Sequence, residues 1–145
     1  LVLLSRLADA YSRSGYIDAS IRAYNHLISL DPRNDATYYS LAQVYSSNGD
    51  FDKALEVYEK IKSITTDSEK LYVNLGIFYA QQKEYNKAES TWKKALKSGS
   101  SNQEIYFNLI NLYIITGRKK EAKALANEFV KKGGKLPSGL SKMLN

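Results

Sequence analysis

One interval dominates this sequence. Tyr11, Tyr45, Tyr79 and Tyr113 lie 34 residues apart, and Leu7, Leu41, Leu75 and Leu109 keep the same step four residues upstream. A parallel ladder reads Leu4, Tyr38, Tyr72 and Tyr106. Small residues share the interval at Ala8, Ala42 and Gly76 and again at Ser20, Ala54, Ala88 and Ala122, while Tyr24, Tyr58 and Trp92 hold a bulky aromatic. Self-similarity at such a period marks a repeat architecture, in which each unit is one supersecondary element that cannot bury its apolar face alone. "EYNKAESTWKKAL" (residues 84–96) is therefore the second half of a third unit, equivalent to "DFDKALEVYEKI" and "YIDASIRAYNHL".

Each unit divides into two helical patterns. Tyr38, Leu41, Ala42 and Tyr45 follow i, i+3, i+4, i+7, and Ala54, Val57, Tyr58 and Ile61 repeat that spacing. Gly15, Gly49 and Gly117 close the first halves, where a left-handed residue ends a helix at least cost; the third unit has Lys83 there and is expected to turn less comfortably. "DPRND", "TTDSEK" and "SGSSNQE" separate the units, and Thr66 with Glu69 and Ser101 with Glu104 have capping-box spacing. Two antiparallel helices approach closely only where small side chains cross. Ala8, Ala42 and Gly76 are thus expected to face the Ser/Ala column of the partner helix, with Leu27, Ile61 and Ala95 plugging between successive hairpins. In the fourth unit Ile110 replaces the small residue and Ala126 the aromatic, an exchange of volume. After Gly133-Gly134, "PSGLSKML" reads as a short helix covering the last hairpin.

These columns resemble the tetratricopeptide repeats over residues 1 to about 134, most closely in "LYVNLGIFYAQQKEYNKAESTWKKAL". The resemblance implies an all-α fold, an α-solenoid wound as a right-handed superhelix from four hairpins (1–34, 35–68, 69–102, 103–136) with a cap at 137–145, forming a single domain of a longer chain. It also implies a non-enzymatic scaffold whose first helices line a groove for a peptide or partner protein. The residues between the packing ladders there are Arg6, Asp9 and Arg13, then Tyr39 and Gln43, then Lys70, Asn74 and Ile77, then Phe107, Asn108, Asn111 and Ile114.

Asn74 and Asn108 are 34 apart, and an asparagine amide offers both donor and acceptor to an extended backbone. The pair resembles part of the asparagine ladder of some tetratricopeptide superhelices, including that of the glycosyltransferase that modifies Ser/Thr with N-acetylglucosamine. The family's clamp for acidic chaperone tails, built from Lys, Asn, Asn, Lys and Arg, finds Ser5, Asp9, Ser40, Lys70 and Asn74 here, or Tyr39, Gln43, Asn74, Glu104 and Asn108 one unit on. One residue agrees in each frame, which argues against that partner.

Other chemistries have less support. His26 is the only histidine and there are no cysteines, so neither a metal site nor a cofactor is expected. Paired carboxylates such as Asp50/Asp52 and Glu56/Glu59 sit at helix starts and faces, and no phosphate-binding glycine loop occurs. No window reaches the ~18 apolar residues of a membrane span. The compartment is left open between cytoplasm and periplasm.

The formal charge of +6 is unevenly spread: residues 1–72 carry 8 basic and 10 acidic residues, residues 73–145 carry 13 and 5. This basic half supports a second reading, electrostatic binding of RNA or acidic surfaces. Against nucleic acid, nine of the 12 tyrosines belong to the packing columns and are not free to stack on bases. Two further possibilities are association of copies through the ends of the stack and service as the accessory domain of an enzyme lying outside these residues.

Overall fold

The computed structural model describes residues 1–144 and is helical throughout, with nine α-helices and no strand among the described residues. It divides into two compact units, Leu1–Leu71 and a second beginning at Tyr72.

The first unit contains α1 (Val2–Arg13), α2 (Ile17–Leu30), α3 (Asp35–Asn48), α4 (Phe51–Ile64) and the first turn of α5 (Ser68–Gln81). α1 packs on α2, α2 on α3, and α3 on α4. The small column lies where helices cross, with Ala8, Ser20, Ala42 and Ala54 all fully buried. Burying the Ser20 hydroxyl would cost free energy unless it were paired. It donates to the Ala8 carbonyl at 3.2 Å, tying α2 to α1. Leu27 enters one apolar cluster with Leu41 and Val44, so it fills the space between α2 and α3 as its column suggests. Leu7 departs from its ladder. It is 45% exposed where Leu41 and Leu109 are 3% and 1%, because no earlier helix among the described residues packs over α1.

In the second unit the remainder of α5 precedes α6 (Tyr85–Lys97), α7 (Gln103–Ile115), α8 (Lys119–Lys131) and α9 (Ser138–Leu144). Gly76 explains how α5 meets α6: a Cβ built there would overlap the Trp92 indole. With no side chain in the way, the indole lies on the helix backbone and its N–H donates to the Val73 carbonyl at 3.3 Å. The volume exchange is realised one hairpin later, where Ile110 and Ala126 are both buried in the same cluster. α9 packs on α7 and α8, placing Leu140 and Leu144 in that core. Gly134 permits the preceding chain reversal by lying flush against the Phe129 ring.

The turns follow the glycine column. Gly15, Gly49 and Gly117 have φ of 77°, 83° and 75°, and Lys83 takes the same left-handed region at 59° despite its side chain. The caps fall one residue later than the capping-box spacing implies. Asp67 accepts from the Lys70 N–H at 2.9 Å, and Asn102, not Ser101, caps α7 by accepting from the Glu104 N–H at 2.9 Å. Asp and Asn cap as well as Ser and Thr, so spacing alone did not separate them.

Candidate functional site

In the first unit, Arg6 on α1 is exposed at the rim of a recess of about 400 Å³, which Ser5, Asn34, Thr37 and Ser40 also line. Tyr24 and Leu27 lie deeper in it. The Tyr24 hydroxyl donates to the Asp9 carboxylate. Burial, reinforced by that carboxylate, pushes the phenol up to about 12, so it remains a neutral donor across the physiological range.

On α3, Gln43 is exposed and Tyr39 half-buried. Tyr39 meets Tyr58 edge-to-face at 6.4 Å, and the Lys70 ammonium sits 4.5 Å from its ring centre, a cation–π arrangement. The fold thus brings together Tyr39 and Lys70, which the sequence nominated separately. The Tyr39 hydroxyl is buried without a hydrogen-bond partner among the described residues. Burial raises its pKa, and the carboxylates of Asp35 and Asp67 raise it further.

In the second unit, Asn74 and Ile77 on α5 are half-buried, as are Phe107, Asn108 and Ile114 on α7; Asn111 is exposed. Ile77, Phe107 and Ile114 pack partly against the core, with Phe107 edge-on to Phe129 at 5.4 Å. The Asn108 amide nitrogen is the second buried polar atom without a partner among the described residues. Such a group costs about 1–3 kcal/mol. Both unpartnered atoms, Tyr39 Oη and Asn108 Nδ2, belong to first helices and to residues selected from the sequence.

Another polar constellation went unnoticed in the sequence. Glu89 on α6 accepts from the Arg118 guanidinium at 2.5 Å, from Lys93 at 2.5 Å and from the Tyr113 hydroxyl at 3.1 Å, while Arg118 also pairs with Glu121 at 2.6 Å. The Arg118 hydrogen bonds, aided by Lys93 and Tyr113, hold the Glu89 carboxyl down at about 2. These charges answer one another across the recess of about 300 Å³ that Glu89 and Arg118 line, so the arrangement clamps α6 to the α7–α8 turn. His26 is exposed on α2, and no cluster of metal-ligating side chains occurs among the described residues. No helix among them is long and apolar enough to cross a membrane.

One family model for the tetratricopeptide repeat matches residues 3–34 and 69–98, and a second matches residues 23–56. The chain belongs to the tetratricopeptide repeat family. Several solved structures share the fold. A thermophilic TPR protein of Thermus thermophilus is 25% identical with a TM-score of 0.69, over 88% of this chain and 71% of that one. The MamA protein is 23% identical with a TM-score of 0.65, over 90% and 71%. A tetratricopeptide repeat protein of Parabacteroides merdae reaches a TM-score of 0.73 at 18% identity, over 97% of this chain and 54% of its own. No curated protein matches the chain. Repeats of this family are typically non-enzymatic interaction modules, and the fold is in general that of a protein-interaction scaffold.

Proposed function

We propose that this tetratricopeptide repeat chain is a single domain of four hairpins, residues 1–34, 35–68, 69–102 and 103–136, with 137–145 as cap, and that its first helices hold a peptide or partner segment. The observation that carries this reading is the unpartnered, buried amide of Asn108. A donor in that condition gains most from a backbone carbonyl brought by a ligand. Asn74 occupies the equivalent position on α5, one repeat earlier. Ile77, Phe107 and Ile114 supply partly buried apolar surface beside them, suited to an extended peptide or an amphipathic helix, and Asn111 adds an exposed amide. On the first unit, Arg6, Tyr39, Gln43 and Lys70 are the corresponding contacts.

The test is a displayed random-peptide library selected against the intact chain. The selected peptides should bind the Asn74→Ala/Asn108→Ala variant about 1–3 kcal/mol more weakly while its melting curve stays nearly unchanged. Undiminished affinity would show that the contacts lie elsewhere.

A further inference from the structure

The second unit carries a row of cations along α8. α8 buries Ala122, Ala126 and Phe129. At 100° per residue these define its inner side, and Lys119, Lys123, Asn127 and Lys131 follow one another at i+4 steps from the flank beside Ala126 round to the side opposite the core. All four are exposed. Their rungs rise about 6 Å and drift about 40° per step. The two acids of this helix, Glu121 and Glu128, fall on the opposite flank, where they are occupied by Arg118 and Lys132 at 2.6 and 2.7 Å.

Other lysines of the unit are relieved locally: Lys93 has Glu89 four residues before it, and Lys132 has Glu128. Lys119 and Lys123 have no acidic residue three or four positions away along α8. Lys119 and Lys123 are like charges at i, i+4, and Lys119 opens the helix, where the backbone dipole favours anions. The free chain holds this arrangement at a cost that an anionic ligand would remove.

The ligand's chemistry follows from spacing and donor type. An extended polypeptide presents side chains on one face every second residue, about 6.6 Å apart, close to the rise of the rungs. Three ammonium groups and one amide suit carboxylates taken singly. Bidentate phosphate recognition calls for arginine, and the only arginine of this unit, Arg118, is committed to Glu89 and Glu121. The large apolar residues exposed in this unit are Ile115, Val130 and Met143, none of them an aromatic platform for stacking bases.

We infer that the exposed row from Lys119 to Lys131 on α8 is a second docking surface, which binds an acidic polypeptide segment carrying carboxylates at alternate positions in extended conformation. This surface is independent of the first-helix reading, because none of its rungs belongs to that set.

The test uses fluorescence anisotropy at low salt with three labelled probes: a peptide with glutamates at alternate positions spaced by serines, an isomer of the same composition with the glutamates in one block, and an RNA duplex of matched charge. The alternating peptide should bind at least about tenfold more tightly than either, with affinity falling steeply as salt rises. K119Q/K123Q/K131Q, which keeps side-chain length at exposed positions, should lose at least about tenfold of that binding with an unchanged circular dichroism spectrum. Asn74→Ala/Asn108→Ala should bind the peptide as the parent does. Equal affinity for the two peptide isomers, tighter binding of the duplex, or indifference to the lysine substitutions would each overturn the inference.

Discussion

The two units are built from the same repeat yet manage polarity and ends differently. The first is nearly balanced in charge, and its opening helix leaves Val2, Leu3 and Leu7 exposed. Its polar interior is tied by separate, scattered bonds, among them Ser20 to the Ala8 carbonyl and Tyr24 to Asp9. The second is strongly basic, closes its apolar end with α9, and concentrates its polar stabilisation in one multi-partner clamp around Glu89. A repeat therefore specifies how hairpins pack but leaves each unit free to finish its surface in its own way. Stability and charge should respond to substitution unit by unit.

The largest break in that comparison should come at the Gly76–Trp92 contact. Trp92→Ala removes a fully enclosed indole and its bond to the Val73 carbonyl. It should cost about 3–5 kcal/mol in urea denaturation followed by circular dichroism. Loss of signal from both units in one transition would mean that the units unfold together, whereas two separated transitions would give each its own stability.

A smaller effect is expected at the clamp. The Glu89 carboxyl is depressed to about 2 in the folded chain, below its ordinary value of 4.5. Its contribution is therefore fully present above about pH 4.5 and lost as pH falls through about 2. Glu89→Gln should cost about 2 kcal/mol at neutral pH and flatten the acid limb of the stability profile. An unaltered acid limb would move the pH dependence to other carboxylates.

The smallest is at the turns. Gly49 ends α3 in a left-handed conformation that costs glycine little, while Lys83 ends α5 at φ 59° against its own preference. Lys83→Gly should raise stability by about 1 kcal/mol, and Gly49→Ala should lower it by a similar amount. Thermal melting of the two variants checks both signs.

What could be read in advance was whatever recurs. The buried columns, the left-handed turns with the strain at Lys83 and the Ile110/Ala126 exchange all register against the other copies of the repeat, because packing imposes the same volume at each step, while the closing helix was marked by the Gly133-Gly134 break before it. The Glu89–Arg118 clamp was not legible for the same reason. Its columns hold Ile21, Leu55, Glu89 and Lys123, and Tyr16, Asp50, Glu84 and Arg118, so neither charge repeats and their meeting depends on tertiary placement. Of the candidate site, the first-helix positions were accessible from the ladders. The burial that leaves Tyr39 Oη and Asn108 Nδ2 without partners was not, since periodicity locates a side chain on a face but not the depth of its polar atom. The i+4 ladder on α8 was visible as a run of lysines, and only the pairing of Glu121 and Glu128 elsewhere distinguished it from an ordinary solvated face.

Trp92 is the only tryptophan among 12 tyrosines and four phenylalanines. Seated against the backbone of α5, it gives the molecule a built-in optical reporter whose emission follows one hairpin and leaves the first four helices dark. Heating or titrating the chain while exciting the indole would record that hairpin alone, and the tyrosine signal, drawn from both units, would supply the reference against which any local opening could be timed.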